Sequence, residues 1–150
     1  MGYADYDFYK TEYYGDLLTP EEFNRWNERA SRWLDAETDR RLISAYPDDE
    51  YTDKQIKLCI CELAEKMMET QRYLSASAIS ASTGTSGMVK SISAGSESIT
   101  YATGETVYAS VVKDERSKHG FFYATVSSYL RGLCDARGIC LLYRGIEEDV

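Results

Sequence analysis

Four cysteines (Cys59, Cys61, Cys134 and Cys140) and a single histidine, His119, carry the sharpest chemistry in this 150-residue chain. A structural zinc site needs four Cys or His ligands at set spacings. Cys59-x-Cys61 on a helix would point its two thiols in different directions, and one histidine cannot complete a set. The cysteines therefore read as reduced structural thiols of a cytoplasmic protein. His119 beside Gly120 stands at a helix start and reads as incidental rather than catalytic. No glycine-rich phosphate loop of either the Gly-x-Gly-x-x-Gly or the Walker type occurs. The carboxylate pairs Glu21-Glu22 and Asp48-Asp49 fall at a helix start and in a turn, where charge has a structural use. No catalytic, metal-binding or cofactor-binding residue is assigned, no cofactor is expected, and the chain reads as a non-enzyme.

The elements that position these residues are mainly helical. Thr19-Pro20-Glu21-Glu22 is a helix start: Thr caps, Pro fits the first turn, and Glu22 completes a capping box. Phe23, Trp26, Ala30, Trp33 and Leu34 follow at helical spacing, which predicts a helix over about 20–42. Tyr46-Pro47-Asp48-Asp49 breaks it. A second box at Thr52-Asp53-Lys54-Gln55 opens a helix over about 52–76, with Ile56, Ile60, Leu63, Met67 and Leu74 in its stripe. A third, over about 117–136, carries Phe122, Val126, Tyr129, Leu130 and Leu133, with Ser117 as cap and Gly138 as terminator. The expected fold is a small bundle of three principal helices, their apolar stripes buried against one another.

Between the second and third helices, residues 75–104 change character. Of these 30 residues, 22 are Ser, Thr, Ala or Gly, as in a low-complexity segment. Met88 to Ile92 and Ser98 to Tyr101 flank Ala94-Gly95 and predict a weak hairpin on a projecting loop. An excursion of that length inside a domain is usually functional. Ile139-Cys140-Leu141-Leu142-Tyr143 closes the chain as a short apolar extended segment before Arg144-Gly145 and an acidic tail. It is the longest apolar run and far short of the ~20 residues a spanning helix needs. The first residues carry no basic-then-apolar secretory pattern.

The formal charge is −8, and it is uneven: residues 1–53 hold 14 acids and 6 bases, while residues 54–150 hold 11 of each. That balance disfavours a nucleic-acid face or an anionic-membrane binder, both of which need clustered Lys and Arg. It suits a solvated face, or an acidic surface that repels an anion or meets a basic partner. Tyr3, Tyr6, Phe8, Tyr9, Tyr13 and Tyr14 crowd into an amino-terminal arm, residues 1–18, ahead of a single domain over 19–150. The arm either docks on a partner or wraps its own domain.

Three segments, taken in order, resemble the head–tail connector (adaptor) proteins of long-tailed bacteriophages and prophages. Arg29-Ala30-Ser31-Arg32-Trp33-Leu34-Asp35-Ala36-Glu37-Thr38 is similar to that family's opening helix. Ile92-Ser93-Ala94-Gly95-Ser96-Glu97-Ser98-Ile99-Thr100-Tyr101 resembles its Gly-centred segment running into an alternating strand. Tyr129-Leu130, followed by Gly138 to Gly145, resembles its closing helix end and apolar-Tyr-Arg-Gly finish. The match spans roughly residues 19–146; no one segment is specific, and the weight lies in their order. Ala94 stands where the family often has Val, and the interval before the closing segment is longer.

The resemblance implies a structural virion protein of the capsid vertex or neck, assembled in the bacterial host cytoplasm. Its partners would be a homo-oligomeric ring of about twelve copies, closed by head-to-tail interfaces, the portal above, and a stopper or tail-completion protein below. Genome DNA would pass through the channel without specific binding, and no membrane is involved. A ring of that size would sum to about −100, so its wall would not grip DNA. The expected partner interface is Ile139, Leu141, Leu142, Tyr143, Arg144 and Gly145, within a docking segment over 139–150. Packing of that segment on the chain's own helices is the competing reading. The expected loop interface is Met88, Val89, Ile92, Ile99 and Tyr101. A small cytoplasmic helical enzyme and a helical protein–protein regulator are the alternatives. A stopper or tail terminator is disfavoured, being usually β-barrel or α/β.

Overall fold

A computed structural model describes residues 2–83 and 111–143. Its described elements are helical: α1 (Tyr6–Thr11), α2 (Pro20–Glu37), α3 (Arg41–Ser44), α4 (Glu50–Thr83) and α5 (Glu115–Leu130). Among the described residues, β pairing is limited to one isolated antiparallel bridge, Cys134 with Cys140. The chain divides into two compact units, one of Met1–Met67 with Phe122–Val150 and one of Met68–Phe121.

In the first unit the expected core is in place. Phe23, Ile60, Leu63, Val126 and Leu130 are fully buried and Trp26 nearly so, each side chain worth about 1.5–3 kcal/mol out of water. The polar contacts show which faces meet. The Glu65 carboxylate on α4 accepts from the Tyr9 hydroxyl at 2.8 Å and the Tyr13 hydroxyl at 3.2 Å. Glu62 accepts from Tyr129 of α5 at 2.8 Å, while Lys66 donates to Thr125 at 2.6 Å. Trp33 of α2 meets Phe122 of α5 edge to face, ring centres 5.8 Å apart.

The aromatic arm wraps its own unit. Tyr9 is fully buried and stacks on Phe23 at 4.8 Å. Its hydroxyl also accepts the N–H groups of Leu17 and Leu18, at 2.9 and 3.0 Å. Polar residues of α2, with Asn27 and Ser31 buried and Asp35 half-buried, hold this arm. Asn27 donates to the Ala4 carbonyl at 2.7 Å, Ser31 accepts the Tyr3 N–H at 2.9 Å, and Asp35 accepts the Tyr3 hydroxyl. Backbone groups under an apolar arm need such partners, because an unpaired buried polar group is costly. Tyr14, by contrast, stands 82% exposed.

Helix ends follow local chemistry and correct several sequence boundaries. The Thr19–Glu22 capping box forms as expected. The first long helix, expected to reach 42, stops at Glu37. Thr38 turns its hydroxyl back onto the Leu34 carbonyl at 2.9 Å, and Asp39 and Arg40 take left-handed backbone angles. Side chains that bond nearby backbone compete with helix continuation in this way. Asp49, not Thr52, caps α4 by accepting the Thr52 N–H at 2.9 Å; Asp114, not Ser117, caps α5 by accepting the Ser117 N–H at 2.7 Å. The third helix ends at Leu130 rather than 136, and Gly132 at φ +82° takes the role expected of Gly138.

The second unit holds α4 from Met68 onward and α5 up to Phe121. Residues 75–83, expected as the start of the projecting loop, continue α4 to Thr83. Alanine and serine alternate there with no Gly or Pro until Gly84, so nothing in that stretch breaks the helix. The expected hairpin beyond it lies outside the described residues.

Candidate functional site

The closing segment is built on a turn that Asp135 organises. Its carboxylate accepts the backbone N–H groups of Arg137 and Ile139, at 2.8 and 3.0 Å. The Arg137 guanidinium closes on the same carboxylate at 3.0 Å. Burial works against charge on Asp135, but the Ile139 and Arg137 hydrogen bonds prevail and hold its carboxyl below the usual range. Gly138 at φ +86° completes the turn, a conformation that favours glycine. The two chain directions then pair: the Asp135 N–H donates to the Ile139 carbonyl and the Leu141 N–H to the Leu133 carbonyl, both at 2.8 Å.

Helix α3 receives this turn. The Ala136 N–H donates to the Ala45 carbonyl at 2.9 Å. Arg41 is buried and donates to the Leu141 carbonyl at 3.2 Å. The Arg41 guanidinium also lies 5.7 Å from the Tyr143 ring centre, a cation–π contact. The left-handed turn at Asp39-Arg40 leads the chain into α3 and Arg41.

The expected interface residues divide. Leu141 is fully buried and Leu142 half-buried, whereas Ile139 is 37% and Tyr143 36% exposed. Self-packing therefore describes the anchor, and the residues on either side of it face outward. The segment is a bridged turn rather than an extended strand. Arg144 and Gly145 lie outside the described residues, as do Met88, Val89, Ile92, Ile99 and Tyr101.

Sequence reading missed Arg41, Asp135 and Ile43, which stands 64% exposed on α3. Asp135-Ala136-Arg137-Gly138 carried a signal, since Asp followed by Gly is turn chemistry. Nothing local marked Arg41 or Ile43.

Other chemistry is sparse among the described residues. No group of three or more His, Cys, Asp or Glu side chains converges as a metal site would require. No helix there is long and apolar enough to cross a membrane. Cys59 and Cys61 are both fully buried, and burial pushes the Cys61 thiol up to about 12 and Cys59 in the same direction. Burial of this kind disfavours the thiolate form that a nucleophile needs. His119 is exposed. A shallow depression on α5 is lined by Ala124, Ser127, Ser128 and Arg131.

Compared with known proteins, the chain matches no protein-family model, no curated protein and no solved structure.

Proposed function

We propose that this chain is a structural, non-catalytic assembly subunit: a ring-forming head–tail connector that binds below a phage portal, extends the DNA channel and offers a platform for a stopper or tail. The observation that carries the reading is the anchored closing segment. Leu141 is buried while Ile139 and Tyr143 face outward, and the segment is tied to α3, where Ile43 is also exposed. A fixed backbone presenting apolar side chains can bind without first being ordered, which lowers the entropy cost of association. The mainly helical fold agrees with the connector reading and with its preference over a β-barrel stopper. The order of the three resembling sequence segments supports the connector reading, and the acidic balance fits a channel wall past which DNA slides.

The test uses the portal protein encoded in the same genome. Ile139→Asp and Tyr143→Ser leave the buried Leu141 side chain in place, so helical circular dichroism should stay near wild type, with melting lowered slightly in Tyr143→Ser by loss of the ring against Arg41. Attachment to portal-bearing heads should be lost. Wild-type attachment by both folded variants would refute the docking role of this segment.

A further inference from the structure

We propose that Cys134 and Cys140 form a reversible disulfide that acts as a redox latch on the closing segment. The two sulfurs lie 3.8 Å apart, with Cys134 half-buried and Cys140 exposed. Their placement follows from the turn. The flanking bonds, Leu141 N–H to Leu133 and Asp135 N–H to Ile139, make Cys134 and Cys140 the non-hydrogen-bonded pair of an antiparallel bridge. Such pairs have Cα atoms about 4.5 Å apart and their side chains close together. That separation lies inside the range a disulfide spans, so side-chain rotation alone can bring the sulfurs to about 2.05 Å. The Asp135 carboxylate, holding the Arg137 and Ile139 N–H groups, keeps the two thiols facing before any oxidant arrives.

The chemistry is thiol–disulfide exchange with a low-molecular-weight disulfide such as oxidised glutathione. Cys140, the exposed thiol, loses its proton to solvent and attacks one sulfur of the oxidant. A mixed disulfide forms and one thiol leaves. Cys134 then loses its proton and attacks the Cys140 sulfur, expelling the second thiol. Two protein thiols are oxidised and one small disulfide is reduced to two thiols, so atoms and electrons balance. Cys134 donates its S–H to Cys140, which holds Cys134 above the ordinary thiol range while both thiols are reduced and leaves the exposed Cys140 to attack first.

Closing the bond joins the two sides of the turn that holds Leu141 in the core and sets Ile139 and Tyr143 outward. The oxidised form is therefore the stiffer one.

The test takes the full chain with oxidised glutathione, followed by alkylation in denaturant and peptide mass mapping. The expected result is a loss of about 2 Da and a cross-linked peptide pair containing Cys134 and Cys140, while Cys59 and Cys61 stay alkylatable. Cys134→Ser should instead stop at a glutathione adduct on Cys140. Hydrogen exchange at the Asp135 and Leu141 amides should slow by about tenfold or more on oxidation and recover with dithiothreitol. A persistent glutathione adduct on the wild-type chain, four alkylatable thiols after treatment, or pairing through Cys59 or Cys61 would overturn the disulfide. Unchanged exchange in a chain that does form the bond would overturn the latch.

Discussion

The Arg41 guanidinium donates to the Leu141 backbone carbonyl at 3.2 Å, linking residues a hundred positions apart. A buried carbonyl at the end of the anchored segment finds its donor on a four-residue helix, α3. This bond ties the closing segment to the helical body.

Arg41→Leu keeps apolar bulk but removes the donor. The expected cost is about 1–3 kcal/mol, the penalty for a buried acceptor left unpaired. Leu141→Ala should cost about 2–5 kcal/mol, because it empties a fully buried site. Urea denaturation measures both. A cost near zero for each would mean that the segment is not anchored as described.

Tyr9→Phe tests the arm. Its hydroxyl serves Leu17 N–H, Leu18 N–H and Glu65 at once, so its loss should cost about 1–3 kcal/mol. Tyr14→Phe, at an exposed position, should change stability by no more than about 0.5 kcal/mol.

Alkaline pH should weaken the fold. Burial raises Tyr3, Tyr9, Tyr13, Tyr46 and Tyr129 above the ordinary phenol value of 10.0, and carboxylate neighbours at Asp35, Glu65, Asp53 and Glu62 raise them further. A folded value above the unfolded one means this stability is complete below about pH 10 and is lost as pH rises beyond it. Denaturation midpoints in guanidinium should begin to fall above about pH 9, where the buried Cys59 and Cys61 thiols contribute in the same sense, and fall more steeply by pH 11 as the tyrosines join. A flat profile would contradict the tyrosine–carboxylate contacts.

Two glycines should respond with opposite signs. A Cβ at Gly15 would run into the Tyr9 ring, so Gly15→Ala should destabilise by about 1–3 kcal/mol. Gly120 lies inside α5 with open space around it, so Gly120→Ala should stabilise by about 0.5–1 kcal/mol. Thermal melts of the two variants read the contrast directly.

The long-range packing of Phe23, Trp26, Ile60, Leu63, Val126 and Leu130 was legible because helical periodicity reports which side of a helix is apolar. The ends of helices were less so. Thr52 and Ser117 are as good caps on paper as Asp49 and Asp114, and the hydrogen bonds that Asp49 and Asp114 accept from the Thr52 and Ser117 N–H groups decide between them. The break at Thr38-Asp39-Arg40 carried no Gly or Pro. The split within the closing segment, with Leu141 inward and Ile139 and Tyr143 outward, depends on Arg41 and Ala45, partners almost a hundred residues away. The cysteines show the same limit. Spacing alone made all four structural thiols, whereas the Asp135 turn sets one pair face to face.

The central claim is assembly. The most direct measurement is the mass of the chain in solution, by sedimentation or mass photometry, alone and with a candidate portal protein of the kind the proposed function requires. The account predicts a closed species of about twelve copies that forms on, or is strengthened by, the portal. A single-copy species at every concentration, both alone and with the portal, would contradict it.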